Sequence, residues 1–391
     1  MDNNNFTEVT SQGWLSRIGG AIKGVFFGLI LFIIAFPLLT WNEGRAVDRI
    51  KALEEGSGLV VHIESKTINS LNDQKLVHLT ADVLTDEILA DPVFFIEANA
   101  IKLKRTVQTY QWQENVTTRT EKQTGGSEQT ISEYSYSEIW SEGLINSNDF
   151  KRPEYQNPSS TPFNSLNLQA NKISFGAFDF PDSLTEKMTN YRKLELDSNS
   201  TLSNTRDHNF SPYDGGYFIG NDSSYPIVGD QKVHFEVVEP ATVSIVAQQV
   251  DNTFQSFTTS GGGDILLLEY GFISQESMFQ TALESNAFLT WMIRIIGLLI
   301  MTIGLSMILK PLSVLADVLP ILGNIVETGA GFIAFLISLC LTILTIAIAW
   351  LFFRPLIGGS LILMAGFVIW LIRNKVNKTD AKPSAQSAST A

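Results

Sequence analysis

The sequence has very little cysteine or histidine: one cysteine and four histidines among 391 residues. Because Cys340 has no second cysteine to pair with, an intramolecular disulfide and dithiol redox chemistry are both excluded. The histidines, His62, His78, His208 and His234, lack the close spacing of zinc ligands in a knuckle or on one helix face. We therefore assign no catalytic, metal or cofactor residue, expect no cofactor, and predict that the protein is not an enzyme.

Basic residues are scarce in the long polar middle of the chain. Residues 45–287 hold 18 Lys and Arg against 34 Asp and Glu, a net charge of −16, while the whole chain carries −13. Nucleic-acid binding requires clustered positive charge, and only Lys102-Leu103-Lys104-Arg105 approaches it. We therefore exclude nucleic acid as a partner. The region is long enough to bury a hydrophobic core of its own.

Acidic residues are absent from four long apolar runs, at residues 22–41, 288–309, 328–353 and 355–372. Each run is close to the 20 or so residues that a helix needs to cross the hydrocarbon core of a bilayer. We predict an α+β membrane protein with four transmembrane helices, one N-terminal and three C-terminal. Without acids inside the runs, a proton relay through them is excluded.

The distribution of basic residues predicts the orientation. Arg17 and Lys23 precede the first run, and the basic tail 373–391 follows the last, so both tails are expected in the cytoplasm. Residues 1–21 are then a cytoplasmic tail. Residues 42–287 are an extracytoplasmic or lumenal domain.

The ends of the apolar runs predict how the helices continue. Residues 43–55 contain no helix breaker after Gly44, so the first helix is expected to run on into the polar domain. A helix over 275–285, with Ser274 as its N-cap, should lead into the second span. Lys310-Pro311 should end that span, leaving 310–327 as an interfacial segment on the cytoplasmic leaflet.

The polar domain is expected to be rich in β-strands. Short stretches with alternating or β-branched residues recur through it, separated by loops rich in Asn, Ser, Pro and Asp. The predicted strands are residues 59–63, 76–79, 93–96, 102–112, 130–140, 232–238, 242–249 and 265–269.

Two kinds of residue stand out within the apolar runs. Small residues let membrane helices approach closely, so we predict helix-packing roles, within one chain or between chains, for Gly297, Gly304, Gly358, Gly359 and Gly366. A cation in hydrocarbon must reach the interface or find an acid. Arg294 is therefore expected to snorkel or pair with a carboxylate, and Arg354 to anchor the turn between the last two runs.

Several short motifs, in the same order and spacing along nearly the whole chain, resemble the LUMA family, also called the transmembrane protein 43 family. They are Trp41-Asn42-Glu43-Gly44-Arg45-Ala46, Tyr110-Gln111-Trp112, Asn157-Pro158-Ser159, Tyr225-Pro226, Val228-Gly229-Asp230, Ser260-Gly261, Leu266-Leu267-Leu268, Thr290-Trp291 and Trp350-Leu351-Phe352 with Arg354-Pro355-Leu356. The resemblance implies one N-terminal and three C-terminal spans, a lumenal middle domain and self-association in the membrane. For a eukaryotic member it also implies the endoplasmic reticulum or inner nuclear membrane and partners such as emerin and lamins.

Three functions are compatible with these features. The first is a membrane scaffold that forms homo-oligomers and presents its large domain to other membrane proteins or to lipid. The second is an oligomeric channel or transport component, suggested by Arg294 and Arg354. The third is a hydrolase whose site is assembled from loops and leaves no motif. The expected location is a bacterial inner membrane, or the endoplasmic reticulum or inner nuclear membrane in a eukaryote.

Overall fold

A computed structural model describes residues 5–196, 209–318, 320–356, 359, 360, 363, 364, 367 and 370. Four helices are present in this part of the chain: α1 (Trp14–Leu59), α2 (Asp182–Thr185), α3 (Gln275–Ala316) and α4 (Pro320–Phe353). Contacts divide the chain into a β-rich unit, Met1–Trp14 with Lys51–Glu284, and a helical unit, Leu15–Ile50 with Ser285–Ala391.

The strands all lie in the β-rich unit. In chain order they are β1 (Asn5–Gln12), β2 (Val61–His62), β3 (Leu76–Leu84), β4 (Leu89–Asp91), β5 (Ile96–Ala98), β6 (Lys102–Lys122), β7 (Glu128–Ser141), β8 (Leu166–Gln169), β9 (Ser174–Phe175), β10 (Phe178–Asp179), β11 (Arg192–Lys193), β12 (Phe210–Tyr213), β13 (Gly216–Ile219), β14 (Gln231–Val238), β15 (Ala241–Val250), β16 (Thr253–Gln255), β17 (Phe257–Thr258), β18 (Asp264–Ile265) and β19 (Leu267–Tyr270).

Two larger sheets and two short two-stranded pairs contain these strands. The eight-stranded sheet has the order β1-β7-β6-β14-β13-β12, with β11 on β14 and β8 on β6. The seven-stranded sheet has the order β10-β9-β3-β15-β16, with β19 on β15 and β2 on β3. Every pairing is antiparallel except β2 with β3. The β-rich character predicted for this region is therefore confirmed.

Alternation of apolar and polar residues builds the core of the β-rich unit. In β14, Val233, Phe235 and Val237 are buried while the residues between them are partly exposed, as a strand with one face on a core requires. The largest fully buried side chains of this core include Phe94 and Phe235, whose ring centroids are 5.6 Å apart. A buried ion pair lies beside them: Arg105 Nη1 is 2.6 Å from Asp91 Oδ2, and the guanidinium also faces the Phe94 ring.

Two strand predictions are corrected in detail. Residues 93–95 form a turn rather than a strand, with Phe95 at a φ of 52°, and β5 begins only at Ile96. Asp91 explains the turn, because its Oδ1 accepts hydrogen bonds from the backbone N–H groups of Val93 and Phe94. Leu59 ends helix α1 instead of starting a strand, so β2 holds only Val61 and His62.

The N-terminal strand β1 was not predicted, because residues 1–21 were interpreted as a tail before the first span. It pairs with β7 from Asn5↔Ser135 to Gln12↔Glu128. Next to it, Trp14 packs on Gly126 so closely that a Cβ added to this glycine would clash with Trp14 Cδ1.

We predict that an oxidant will form a disulfide between cysteines placed in register on β1 and β7. In a Cys340→Ala background, Thr7→Cys is combined with Glu133→Cys, and separately Glu8→Cys with Ser132→Cys. Facing residues of an antiparallel pair alternate between two separations, so testing adjacent pairs ensures that one has disulfide geometry. Electrophoresis with and without reductant detects the bond.

The matched control combines Thr7→Cys with Gln129→Cys, which lies four residues out of register and opposite Ser11. It should stay unlinked. Absence of a bond in both in-register variants, with normal expression, would show that β1 is not paired with β7.

Two histidines contact each other in the β-rich unit. His78 Nε2 is 2.9 Å from the carbonyl oxygen of Ile273, so this nitrogen carries the proton. His78 Nδ1 must then accept from His62 Nδ1, at 3.0 Å. Burial lowers the pKa of His78, and burial also lowers the pKa of His234.

Protein stability is therefore expected to fall as the pH is lowered through about 6.5, the ordinary histidine pKa in the unfolded chain. The pKa of each histidine is lower in the folded protein than in the unfolded chain, so just below pH 6.5 the unfolded chain binds more protons. The contribution of the neutral histidines to stability is therefore complete only above about pH 6.5. Thermal unfolding in detergent should show a lower Tm at pH 5.5 than at pH 7.5. His78→Gln should reduce that difference, and an unchanged pH dependence in this variant would contradict the assignment.

The helices confirm two predictions and correct a third. Helix α1 runs on past the first apolar run to Leu59, and α3 begins at Gln275, with the Ser274 hydroxyl accepting from the Ser277 N–H. Lys310-Pro311 does not end the second span, because α3 continues to Ala316. A proline inside a helix removes its own N–H donor and its ring crowds the carbonyl of the preceding turn, yet α3 continues through Pro311.

Residues 310–327 are consequently not a separate interfacial segment. Their first part belongs to α3, and α4 starts at Pro320, where the first helical position needs no N–H donor. Over the described residues, three helices are long and apolar enough to cross a membrane, within Trp14–Leu59, Gln275–Ala316 and Ile325–Phe353. Much of the fourth predicted span, 355–372, lies outside the described residues, so that span stays a prediction.

Candidate functional site

Helices α1 and α3 pack against each other in antiparallel directions within the helical unit. From the N-terminal to the C-terminal part of α1, Gly28 contacts Gly304, Leu39 contacts Gly297, and the Asn42 side chain donates to the carbonyl oxygen of Thr290. Between these contacts, Ala35, Leu39 and Met301 are fully buried. The predicted glycine face of α3 is thus used to approach another helix of the same chain.

The closest approach is at Gly28 and Gly304. A Cβ added to Gly28 would lie 2.6 Å from the Gly304 carbonyl oxygen, and one added to Gly304 would lie 2.7 Å from both the Gly28 oxygen and the Phe32 nitrogen. At Gly297 the added carbon would meet Leu39 Cδ2 at 2.5 Å. No other residue fits at the Gly28–Gly304 crossing, because backbone atoms block the space.

The other predicted packing glycines differ from these two. Gly359 has nothing within 4 Å of an added Cβ. Gly358 and Gly366 lie outside the described residues. Sequence reasoning overlooked Gly28, although Gly24 and Gly28 have the G-x-x-x-G spacing of close helix contacts, and Gly44, whose added Cβ would meet the Phe353 ring at 2.9 Å.

Arg294 forms a two-point ion pair with Glu43 of α1. Its Nε lies 2.7 Å from Glu43 Oε1, and its Nη2 lies 2.8 Å from Oε2. The Trp350 indole N–H donates to the same Oε2 at 2.7 Å. Glu43 is only 1 % exposed, and such burial is tolerable because the carboxylate accepts three hydrogen bonds, two of them from a cation.

Sequence reasoning identified Arg294 but missed Glu43, which follows the end of the first apolar run. Arg45, two residues further along α1, donates to Asn286 Oδ1 at 3.0 Å and to Thr290 Oγ1 at 3.0 Å. These partners are uncharged. Together the contacts form a polar layer, which we define as Glu43, Arg45, Arg294 and Trp350, at one end of the helical unit.

Arg354 adjoins this polar layer just after the end of α4. Its guanidinium carbon lies 6.0 Å from the centroid of the Trp350 ring, and the Arg294 guanidinium carbon lies 5.8 Å from the same centroid. Arg294 also faces Trp291 at 4.8 Å. Indole rings attract cations through their π faces, so the two tryptophans help to hold both arginines at this level.

A second ion pair lies at the opposite end of α1 and α3. Arg17 Nη2 is 2.5 Å from Asp317 Oδ2, and both side chains are almost fully buried. From Arg17 to Glu43, helix α1 rises about 39 Å. This length covers a hydrocarbon core about 30 Å thick together with part of each polar interface, so the two ion pairs bracket an apolar slab of membrane dimensions.

These features define an integral membrane protein: long apolar helices held together by glycine contacts and terminal ion pairs, with a large β-rich unit in the same chain. A family model described as Transmembrane protein 43 matches residues 109–355. The chain belongs to the transmembrane protein 43 family, as its motifs suggested. No solved structure gives a significant match to it.

Curated relatives are similar over most of their length. Human Transmembrane protein 43 is 33% identical over 361 residues, which cover 89% of this chain and 88% of the human protein. The mouse protein is 31% identical over 386 residues, covering 94% and 95% of the two chains. The Drosophila melanogaster Transmembrane protein 43 homolog is 31% identical over 366 residues, covering 90% and 94%.

Proposed function

We propose that the protein is a multi-pass membrane scaffold that self-associates and presents its β-rich domain to other membrane proteins or to lipid. The observation that carries this proposal is that α1 and α3 each contribute residues to both units, so the domain is joined to the membrane helices through continuous helix at two points. Attachment at both ends suits a presenting role better than transport through the helices.

The proposal also includes four membrane spans and a cytoplasmic C-terminal tail. Support for the fourth span is the apolar run 355–372, and support for the orientation is the basic tail 373–391. The proposed location is a bacterial inner membrane, or the endoplasmic reticulum or inner nuclear membrane in a eukaryote.

The alternative functions draw less support. A channel was suggested by a free cation within the spans, whereas Arg294 is paired with Glu43 in this fold. We propose no enzymatic activity, since the titratable side chains described above hold structural contacts rather than a shared cleft. A detectable conductance of the reconstituted protein that is abolished by Arg294→Gln would favour the channel instead.

Self-association is tested by the mass of the purified protein. In a mild detergent, light scattering after size exclusion should give a protein mass that is a multiple of the 43.3 kDa chain. The same measurement in nanodiscs formed at low protein-to-lipid ratio controls for detergent effects. A mass of a single chain under both conditions would contradict the scaffold proposal.

A further inference from the structure

A cavity of about 370 Å³ lies between α3 and α4, next to the polar layer. Leu298, Leu339, Ile343 and Ile346 form apolar walls, while Arg294 and Trp350 line the same space. These residues lie in the predicted second and third spans, so the surroundings are hydrocarbon rather than water. An apolar cavity does not hold water well, and in a bilayer the molecule available to fill it is a lipid chain.

The arginines near this cavity retain unused capacity for hydrogen bonds. Arg294 directs Nε and Nη2 to Glu43, and its Nη1 has no partner among the residues that the structure describes. Arg354 likewise has no acidic partner in the described part of the chain. Both guanidinium groups lie about 6 Å from the centroid of the Trp350 ring, and this tryptophan lines the cavity.

The charges of this region do not balance. Glu43 neutralises Arg294, Arg45 is hydrogen-bonded only to uncharged groups, and Arg354 is unpaired within the described residues. An excess of positive charge at the end of apolar helices favours a ligand with a negative charge and several acceptor oxygens. A phosphodiester has both properties.

We propose that this cavity binds an anionic phospholipid, with one acyl chain between α3 and α4 and its phosphate on Arg294 Nη1 and Arg354. Charge complementarity selects the anionic lipid, because a choline headgroup would bring its own cation towards Arg354. The apolar walls select a lipid over free phosphate. The scaffold would thereby recognise the composition of its membrane, independently of any protein partner.

The test compares thermal unfolding of the purified full chain in detergent with dioleoylphosphatidylglycerol or dioleoylphosphatidylcholine added. We expect saturable stabilisation by the phosphatidylglycerol at a concentration at least tenfold lower than for the phosphatidylcholine. Dihexanoylphosphatidylglycerol and inorganic phosphate, which lack long chains, should be at least tenfold weaker than the long-chain anionic lipid. Equal potency of the two long-chain lipids, or of phosphate alone, would overturn the proposal.

Two variants locate the site. Arg354→Gln lies outside the helix and should weaken phosphatidylglycerol binding at least fivefold without changing the Tm in lipid-free detergent. Ala347→Phe places a ring in the cavity and should weaken binding to a similar degree while Arg294 and Arg354 remain. If this variant fails to fold, Ile343→Trp replaces it.

Lys310→Gln, at the other end of α3, is the matched loss of one positive charge and should bind normally. Undiminished binding by Arg354→Gln and by a folded cavity variant would also overturn the proposal.

Discussion

Replacing Glu43 with alanine should destabilise the protein by about 3–5 kcal/mol, because it leaves the Arg294 guanidinium in a low-dielectric site without its counter-ion. The Trp350 indole N–H loses its acceptor in the same change. The effect is expected as a lower midpoint of thermal or denaturant unfolding in detergent. Few single substitutions cost this much, and leaving a buried charge unpaired is one of the mechanisms that do.

The double variant Glu43→Leu with Arg294→Met measures the net contribution of the ion pair to stability. The single variant measures instead the penalty of leaving one buried charge unpaired. Removing both charges and filling the space with apolar atoms should recover most of the lost stability, since buried ion pairs add little over well-packed hydrophobic residues. Asp48→Ala is the matched control on the same helix, because Asp48 is exposed, and it should change stability by no more than about 0.5 kcal/mol. A Glu43→Ala variant as stable as Asp48→Ala would mean that the pair with Arg294 is not formed.

Local patterns account for most of the fold class. The three described long helices follow from apolar runs without acids, and β14 follows from strict alternation of buried and partly exposed residues. The N-cap at Ser274 was also visible, because capping depends on neighbours a few residues away. Such features can be predicted since their physical cause lies within one segment of the chain.

Features that depend on distant partners escaped prediction. β1 has little apolar periodicity and becomes a strand only because the edge of β7 is available to it, more than a hundred residues later in the chain. In the sequence, Glu43 resembles any acidic residue that follows a membrane helix. Its role appears only in the fold, where Arg294 of α3 forms an ion pair with it. Likewise, Lys310-Pro311 has the composition of a helix end, yet α3 stays helical through it to Ala316.

The glycine contacts between α1 and α3 combine a local pattern, which could be predicted, with a distant partner, which could not. Gly297 and Gly304 were identified from their spacing on α3, but the sequence could not decide whether their partner belongs to the same chain. The structure provides that partner in Gly28 and Leu39 of α1. The face expected to hold an oligomer together is therefore occupied within the chain, and self-association must use other surfaces.

Replacing Gly28 or Gly304 with leucine should consequently disrupt the folded chain. An added Cβ would lie 2.6–2.7 Å from backbone atoms of the facing helix, which cannot rotate away as a side chain can, so α1 and α3 must separate. We expect a loss of about 3 kcal/mol, at the upper end of the usual cost of overpacking, measured as a lower Tm in detergent.

Gly329→Leu on α4 is the matched control, because nothing lies within 4 Å of its added Cβ, and it should keep the wild-type Tm. The mass of the detergent-solubilised assembly is measured on the same samples. Unchanged Tm together with a reduced mass would show that the glycines join two chains instead of two helices of one chain.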